Sequence, residues 1–200
     1  MSSESGGEPT PAAVRSPAAA REYAREVCLR RLAIRPQTRA ELATAMRRRG
    51  VDDDVAAEVL ERYDEVGIVD DEAFAMAWVT SRHHGKGLAR RALAGELRRK
   101  GVPDEAMGEA LATLDPETEE STARALVARK LRVARNEKPE ATLRRLVGVL
   151  ARKGYPPGLA IRVVRDALAE RPGQAEFADS VDVDALAEAV GDGEERRESG

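Results

Sequence analysis

The chain has 200 residues, 42% apolar and 34% charged, and no apolar run approaches the roughly 20 residues that a membrane-crossing helix needs. Its single cysteine, Cys28, excludes an internal disulfide framework and a Cys-rich zinc module, so a soluble, cytoplasmic protein without membrane contacts is expected. The net charge of −3 averages an uneven distribution: residues 21–170 hold 29 basic and 25 acidic side chains, whereas residues 171–200 hold three basic and nine acidic. Such a body can approach a polyanion, while its tail repels one.

In chain order, residues 1–20 are rich in Ser, Gly, Pro and Ala and lack the cationic start and apolar block of a secretory signal, so a disordered arm is expected. From Arg21 onward apolar residues recur three and four apart, aromatics are few and alternating β-branched runs are missing. That pattern predicts an all-α fold. The first helix is expected over 21–34, the second opens on a Thr38–Glu41 capping box and the third starts at Asp52. A second set runs over 71–84, capped by Asp70 or Asp71, and continues to a helix with Pro103 in its first turn. The third set runs from Asp115-Pro116 to Val133 and ends with a helix started by Pro156-Pro157. The tail, residues 171–200, is expected to be mostly disordered, with a weak extra helix near 184–190.

One pattern occurs three times: Leu42, Met46, Gly50, then Leu93, Leu97, Gly101, then Leu146, Leu150, Gly154, with the glycines 51 and 53 residues apart. Apolar residues eight and four positions before a glycine form one helical stripe, and a left-handed glycine closes that helix. The pairs Met46 with Val51, Leu97 with Val102 and Leu150 with Tyr155 stand where a Schellman motif places its apolar contact. Three tandem three-helix repeats are therefore expected, over 21–67, 70–114 and 115–170.

The candidate functional residues are basic. Arg47-Arg48-Arg49, Arg98-Arg99-Lys100 and Arg152-Lys153 end helices, where cations also complement the macrodipole whatever the protein does. Arg90 and Arg91 stand instead near a helix start, and residues 82–100 carry seven basic side chains against Glu96 alone. Residues 124–145 carry eight against Glu137 and Glu140. These two stretches read either as a surface for a polyanion or acidic protein, or as a solvated face. The basic face is assigned to Arg82, Lys86, Arg90, Arg91, Arg98, Arg99, Lys130, Arg144 and Arg145. His83-His84 lack a third ligand cluster, and Gly85-Lys86-Gly87 lacks the ending of a phosphate loop, so these residues are expected to link two helices. Cys28, Phe74 and Trp78 fall on apolar faces and read as core. No nucleophile, base and orienter combine, so neither an enzyme nor a cofactor is expected.

The stretch Gly67-Ile68-Val69-Asp70-Asp71-Glu72-Ala73-Phe74-Ala75, continuing through Trp78-Val79-Thr80-Ser81-Arg82 to Glu96-Leu97-Arg98-Arg99-Lys100-Gly101-Val102, resembles the RecX regulatory family. The resemblance extends over about 21–169, departing at Lys86, where the family suggests an aromatic residue, and at Ala92, where it suggests a larger aliphatic. It implies an elongated, curved array of helical repeats that binds RecA and its filament on single-stranded DNA; a monomer is expected. It further implies inhibition of RecA's ATPase, strand-exchange and coprotease activities, limiting recombination and the SOS response; weak non-specific DNA binding is expected of the basic body. Two other readings stay open at this stage. Gln37 to Gly67 resembles a helix-turn-helix transcription regulator, although Ile68 leads into another helix rather than a wing. A general helical adaptor is the third reading.

Overall fold

The computed structural model describes residues 16–133 and 137–189. All regular structure among them is helical: α1 (Pro17–Leu32), α2 (Arg39–Arg47), α3 (Asp53–Glu65), α4 (Asp71–Lys86), α5 (Arg90–Arg99), α6 (Asp104–Ala112), α7 (Pro116–Leu131), α8 (Pro139–Arg152), α9 (Pro157–Ala169) and α10 (Ala175–Asp179), with residues 183–189 also helical. Among the described residues no helix is long and apolar enough to cross a membrane. The chain divides into two compact units, Met1–Phe74 with Lys100–Pro103, and Ala75–Arg99 with Asp104–Gly200.

In the first unit, α1, α2 and α3 pack around Leu42, Met46, Leu60, Val59, Ala24 and Cys28, all nearly or fully buried. The Cys28 thiol lies 3.7 Å from the Met46 sulfur, and burial pushes its pKa up to about 11, so it is an inert apolar filler. Each helix is bounded by local chemistry. Thr38 Oγ1 accepts from the Glu41 amide at 3.1 Å while the Glu41 carboxylate accepts from the Thr38 amide at 3.2 Å, which completes the expected capping box. Gly50, at φ +72°, then turns the chain, and the Val51 amide returns to the Met46 carbonyl at 3.1 Å. Asp52 stands at the start of α3 without a side-chain cap bond. Asp70 caps α4 by accepting from the Ala73 amide at 2.7 Å, whereas Asp71 accepts from the Arg39 amide at 2.9 Å and so satisfies a free donor at the start of α2.

The second unit centres on α7, α8 and α9, whose Leu126, Val127, Leu146, Leu150, Ile161 and Val164 are buried together with Tyr155. Asp115 caps α7 through the Thr118 amide at 2.6 Å, with Pro116 in the first turn. Gly154, at φ +86°, ends α8, and the Tyr155 amide bonds the Leu150 carbonyl at 3.2 Å.

Three expectations need correction. The arm does not extend to residue 20, because Ser16 caps a helix that begins at Pro17 and continues through three alanines. Residues 1–15 lie outside the described residues. The link expected at Gly85-Lys86-Gly87 is shorter: Gly85 and Lys86 remain helical and only Gly87, at φ +63°, breaks the helix. A single helical glycine costs only about 1 kcal/mol against alanine, too little to stop a helix that is otherwise packed. The tail is more ordered than its composition suggests. Ala178 of α10 is 1% exposed within the second unit's core, and Phe177, Val181, Val183 and Ala187 pack against that core. Their apolar spacing is diluted by Asp and Glu, so acidity hid the buried face. Val190 and the residues after it are outside the described residues.

Candidate functional site

All nine cations assigned to the basic face lie in the second unit. Their surroundings differ. Arg82 sits 4.1 Å over the Trp78 ring and 3.4 Å from the Glu96 carboxylate, which also accepts the Trp78 indole N–H at 2.8 Å. The one acidic side chain of residues 82–100 is thus spent on fixing an arginine and the chain's only tryptophan. Trp78 is half-buried rather than fully buried, so the expected core residue carries one face of a surface stack.

Arg90 has a structural partner that the sequence did not suggest. Its guanidinium donates to the Leu114 carbonyl, and its backbone amide donates to Glu119 at 2.7 Å. A carboxylate at the first amide of α5 offsets the unfavourable cations there. Arg145 pairs with Glu137 at 2.8 Å, and that hydrogen bond holds the Glu137 carboxyl below the ordinary carboxylate value. Arg91, Arg98, Arg99 and Arg144 are exposed.

Lys86 and Lys130 belong to a different environment. Lys153, one residue beyond α8, donates from Nζ to the Lys86 carbonyl, while the Lys153 carbonyl accepts from the Ala89 amide at 2.8 Å. Tyr155 adds a hydrogen bond from its hydroxyl to the Gly87 carbonyl at 3.2 Å. The Lys153 ammonium is held below its ordinary value by burial first, and then by the charges of Arg129, Lys130 and Lys86. The charges that act on it thus come from the ends of α4 and α7. Arg129 and Lys153 were absent from the expected face, and the signal for them was a cation at the end of each helix, which by itself also fits dipole compensation.

The recurring glycines make these placements possible. In the second unit, a Cβ on Gly154 would lie 2.4 Å from the Ala92 nitrogen, so the segment after α8 approaches the first turn of α5 as closely as backbone allows. The first unit repeats the arrangement: a Cβ on Gly101 would lie 2.4 Å from the Ala40 Cβ, and Thr38 Oγ1 donates to the Lys100 carbonyl at 2.6 Å. Lys100 itself is consumed there, 2.9 Å from Glu41 and over the Phe74 ring. His83 is likewise structural. It is 1% exposed, with Nδ1 2.9 Å from the Leu88 carbonyl and Nε2 2.8 Å from Thr122 Oγ1.

Profiles described as the first and second three-helix domains of RecX match residues 24–62 and 70–111. A protein of Streptomyces coelicolor named regulatory protein RecX is 58% identical over 149 residues, covering 74% of this chain and 79% of its own length. The chain belongs to the RecX family. The RecX of Thermobifida fusca is 52% identical, covering 77% of this chain and 83% of its own, and that of Mycolicibacterium smegmatis is 48% identical, covering 84% and 92%. Two RecX crystal structures share the fold. The one from Lactobacillus salivarius has a TM-score of 0.66 at 15% identity, covering 74% of this chain and 97% of that one; a second has a TM-score of 0.67 at 19% identity, covering 74% of each. As a RecX protein, this chain is a non-enzymatic modulator of RecA.

Proposed function

We propose that the protein binds the RecA filament on single-stranded DNA through the basic side of its second unit and inhibits the filament's ATPase, strand-exchange and coprotease activities. In the cytoplasm this limits recombination and the SOS response. The protein acts as a monomer built from the repeats 21–67, 70–114 and 115–170. The observation that carries this reading is the gathering of every assigned cation in one unit. Helical repeats spread such contacts along a line, so many weak ones add up against a repetitive polymer. Contact with neighbouring RecA protomers then opposes filament growth or conformational cycling.

The test is RecA's DNA-dependent ATPase titrated with this protein at substoichiometric ratios. Inhibition well below one protein per RecA supports action on the filament. Inhibition that appears only near equimolar ratios means sequestration of free RecA, and no inhibition removes the proposal.

A further inference from the structure

We infer that the groove between α8 and the tail segment 175–189, within the second unit, is a docking site for a cationic amphipathic helix of a partner protein. Apart from Arg144 at its edge, the groove involves none of the cations assigned to the filament, and it does not depend on that reading.

The groove has a volume of about 670 Å³. Leu143, Val147 and Ala151 of α8 line one wall, and Phe177, Val181 and Leu186 line the other. Val147 is buried and the next four are half-buried, but Leu186 is 39% exposed, so a continuous apolar surface stays open to water. Glu140, Arg144 and Gly148, and beside them Leu143, Val147 and Ala151, each recur every four residues and so form one straight strip of α8. From Glu140 to Ala151 that strip is about 16 Å long.

This shape selects a helix. A strip of that length accepts about three turns of a partner, with apolar residues at i, i+3 or i+4, and i+7. An extended peptide fits poorly, because both walls are helices whose backbone groups are paired internally and would leave its amides buried without partners. A small ligand needs free polar groups that converge on it. On the tail side these are already used: Ser180 Oγ donates to the Phe177 carbonyl at 2.7 Å, and Asp182 Oδ1 accepts from the Asp184 and Ala185 amides at 3.1 Å each. Gly148 lies in the middle of the strip, where a helical glycine costs about 1 kcal/mol against alanine. Nothing within the chain requires it, since an added Cβ would meet only the flexible end of Arg152, at 3.4 Å. A partner backbone that approaches α8 closely supplies the reason.

Charge selects the sign of the partner. Segment 175–189 holds Glu176, Asp179, Asp182, Asp184 and Glu188 and no basic residue. All five are exposed, as is Glu140 on the opposite rim, and none of the six has an ion pair among the described residues. Against them the lining offers Arg144 alone. Such a rim attracts a cationic partner and repels an acidic one or a nucleic acid.

The experiment titrates the full chain into a fluorescent peptide of leucine and lysine, about 14 residues long with its leucines at helical spacing, and reads anisotropy at low salt. The chain should bind it at least about tenfold tighter than a peptide of the same pattern with glutamate in place of lysine. Gly148→Leu fills the groove from α8 and Ala185→Leu fills it from the tail, and each should weaken binding at least about tenfold. Ala185 is exposed, so its variant decides alone should Gly148→Leu alter the helical circular dichroism. No binding at about 1 mM chain, or an affinity that Ala185→Leu leaves unchanged, overturns the assignment. Equal binding of the glutamate peptide overturns the choice of a cationic partner, and equal binding of an isomer with alternating leucines overturns the helix. Self-association of the wild type that Ala185→Leu abolishes assigns the groove to a second copy instead. An apolar dye lost from Ala185→Leu, with peptide binding intact, assigns it to a small ligand. RecA takes no part in the measurement, so its outcome is independent of the filament reading.

Discussion

Gly154 lies so close to Ala92 that a Cβ added to the glycine would stand 2.4 Å from the Ala92 amide nitrogen and 2.8 Å from its Cβ. This glycine has two separate reasons to be glycine. Its φ of +86° costs an L-residue roughly 1–2 kcal/mol, and its neighbour is backbone that cannot rotate away.

Gly154→Ala should therefore lower stability by about 3 kcal/mol or more, whereas Gly50→Ala, where nothing lies within 4 Å of the added Cβ, should lose only the conformational part of about 1 kcal/mol. Urea unfolding of the two variants checks this. Equal losses would mean that the close approach to Ala92 contributes nothing.

Thr38 is fully buried and serves two groups at once, accepting from the Glu41 amide and donating to the Lys100 carbonyl. Thr38→Ala should cost about 2 kcal/mol, roughly 1 for the lost cap and roughly 1 for the carbonyl left without its donor. Thr38→Ser keeps the hydroxyl and should recover most of the loss. A serine variant as unstable as the alanine one would assign the effect to the methyl group instead.

Glu41 predicts a pH dependence. Burial raises its carboxyl, but hydrogen bonds from Arg35, Lys100 and the Thr38 amide outweigh that and leave it below the ordinary 4.5. A carboxyl depressed in the folded state favours folding when ionised, so its contribution is present above pH 4.5 and is lost as pH falls through the folded value. Between about pH 5 and about pH 3 the wild type should lose stability more steeply than Glu41→Gln. Parallel curves for the two proteins would exclude this carboxyl as a source of acid sensitivity.

The acidic tail should be cut at two places. Removing residues 171–200 takes away Ala178 and the apolar side chains packed beside it, so thermal stability should fall along with the change in charge. Removing residues 190–200 deletes four acidic and two basic side chains without touching the packed segment. That shorter cut should leave the melting temperature unchanged and tighten single-stranded DNA binding modestly at low salt, because it removes net negative charge that a polyanion is repelled by. Unchanged affinity after the shorter cut would show that these charges do not screen the site.

Local rules made much of the fold legible. The Thr38–Glu41 box, the Asp115-Pro116 start and the stripes before Gly50, Gly101 and Gly154 are encoded within a few residues of where they act, and an α-helix is a local object. The errors fell where local signals compete or fade. Gly85 looked like a breaker but stayed helical, and the buried face of α10 was diluted by acidic neighbours.

Charge was visible as composition, yet its use was not. That residues 82–100 are strongly basic can be counted from the chain, as can the family resemblance carried by Gly67 to Val102. Where each cation is held depends on groups distant in sequence, as when the Leu114 carbonyl takes up the Arg90 guanidinium and Glu119 its backbone amide, or when the Lys153 ammonium reaches the Lys86 carbonyl from 67 positions away. Helix periodicity and turn chemistry act over a few residues and so survive in the one-dimensional string. Electrostatic pairing acts through space at a few ångströms, and packing alone brings those groups within range.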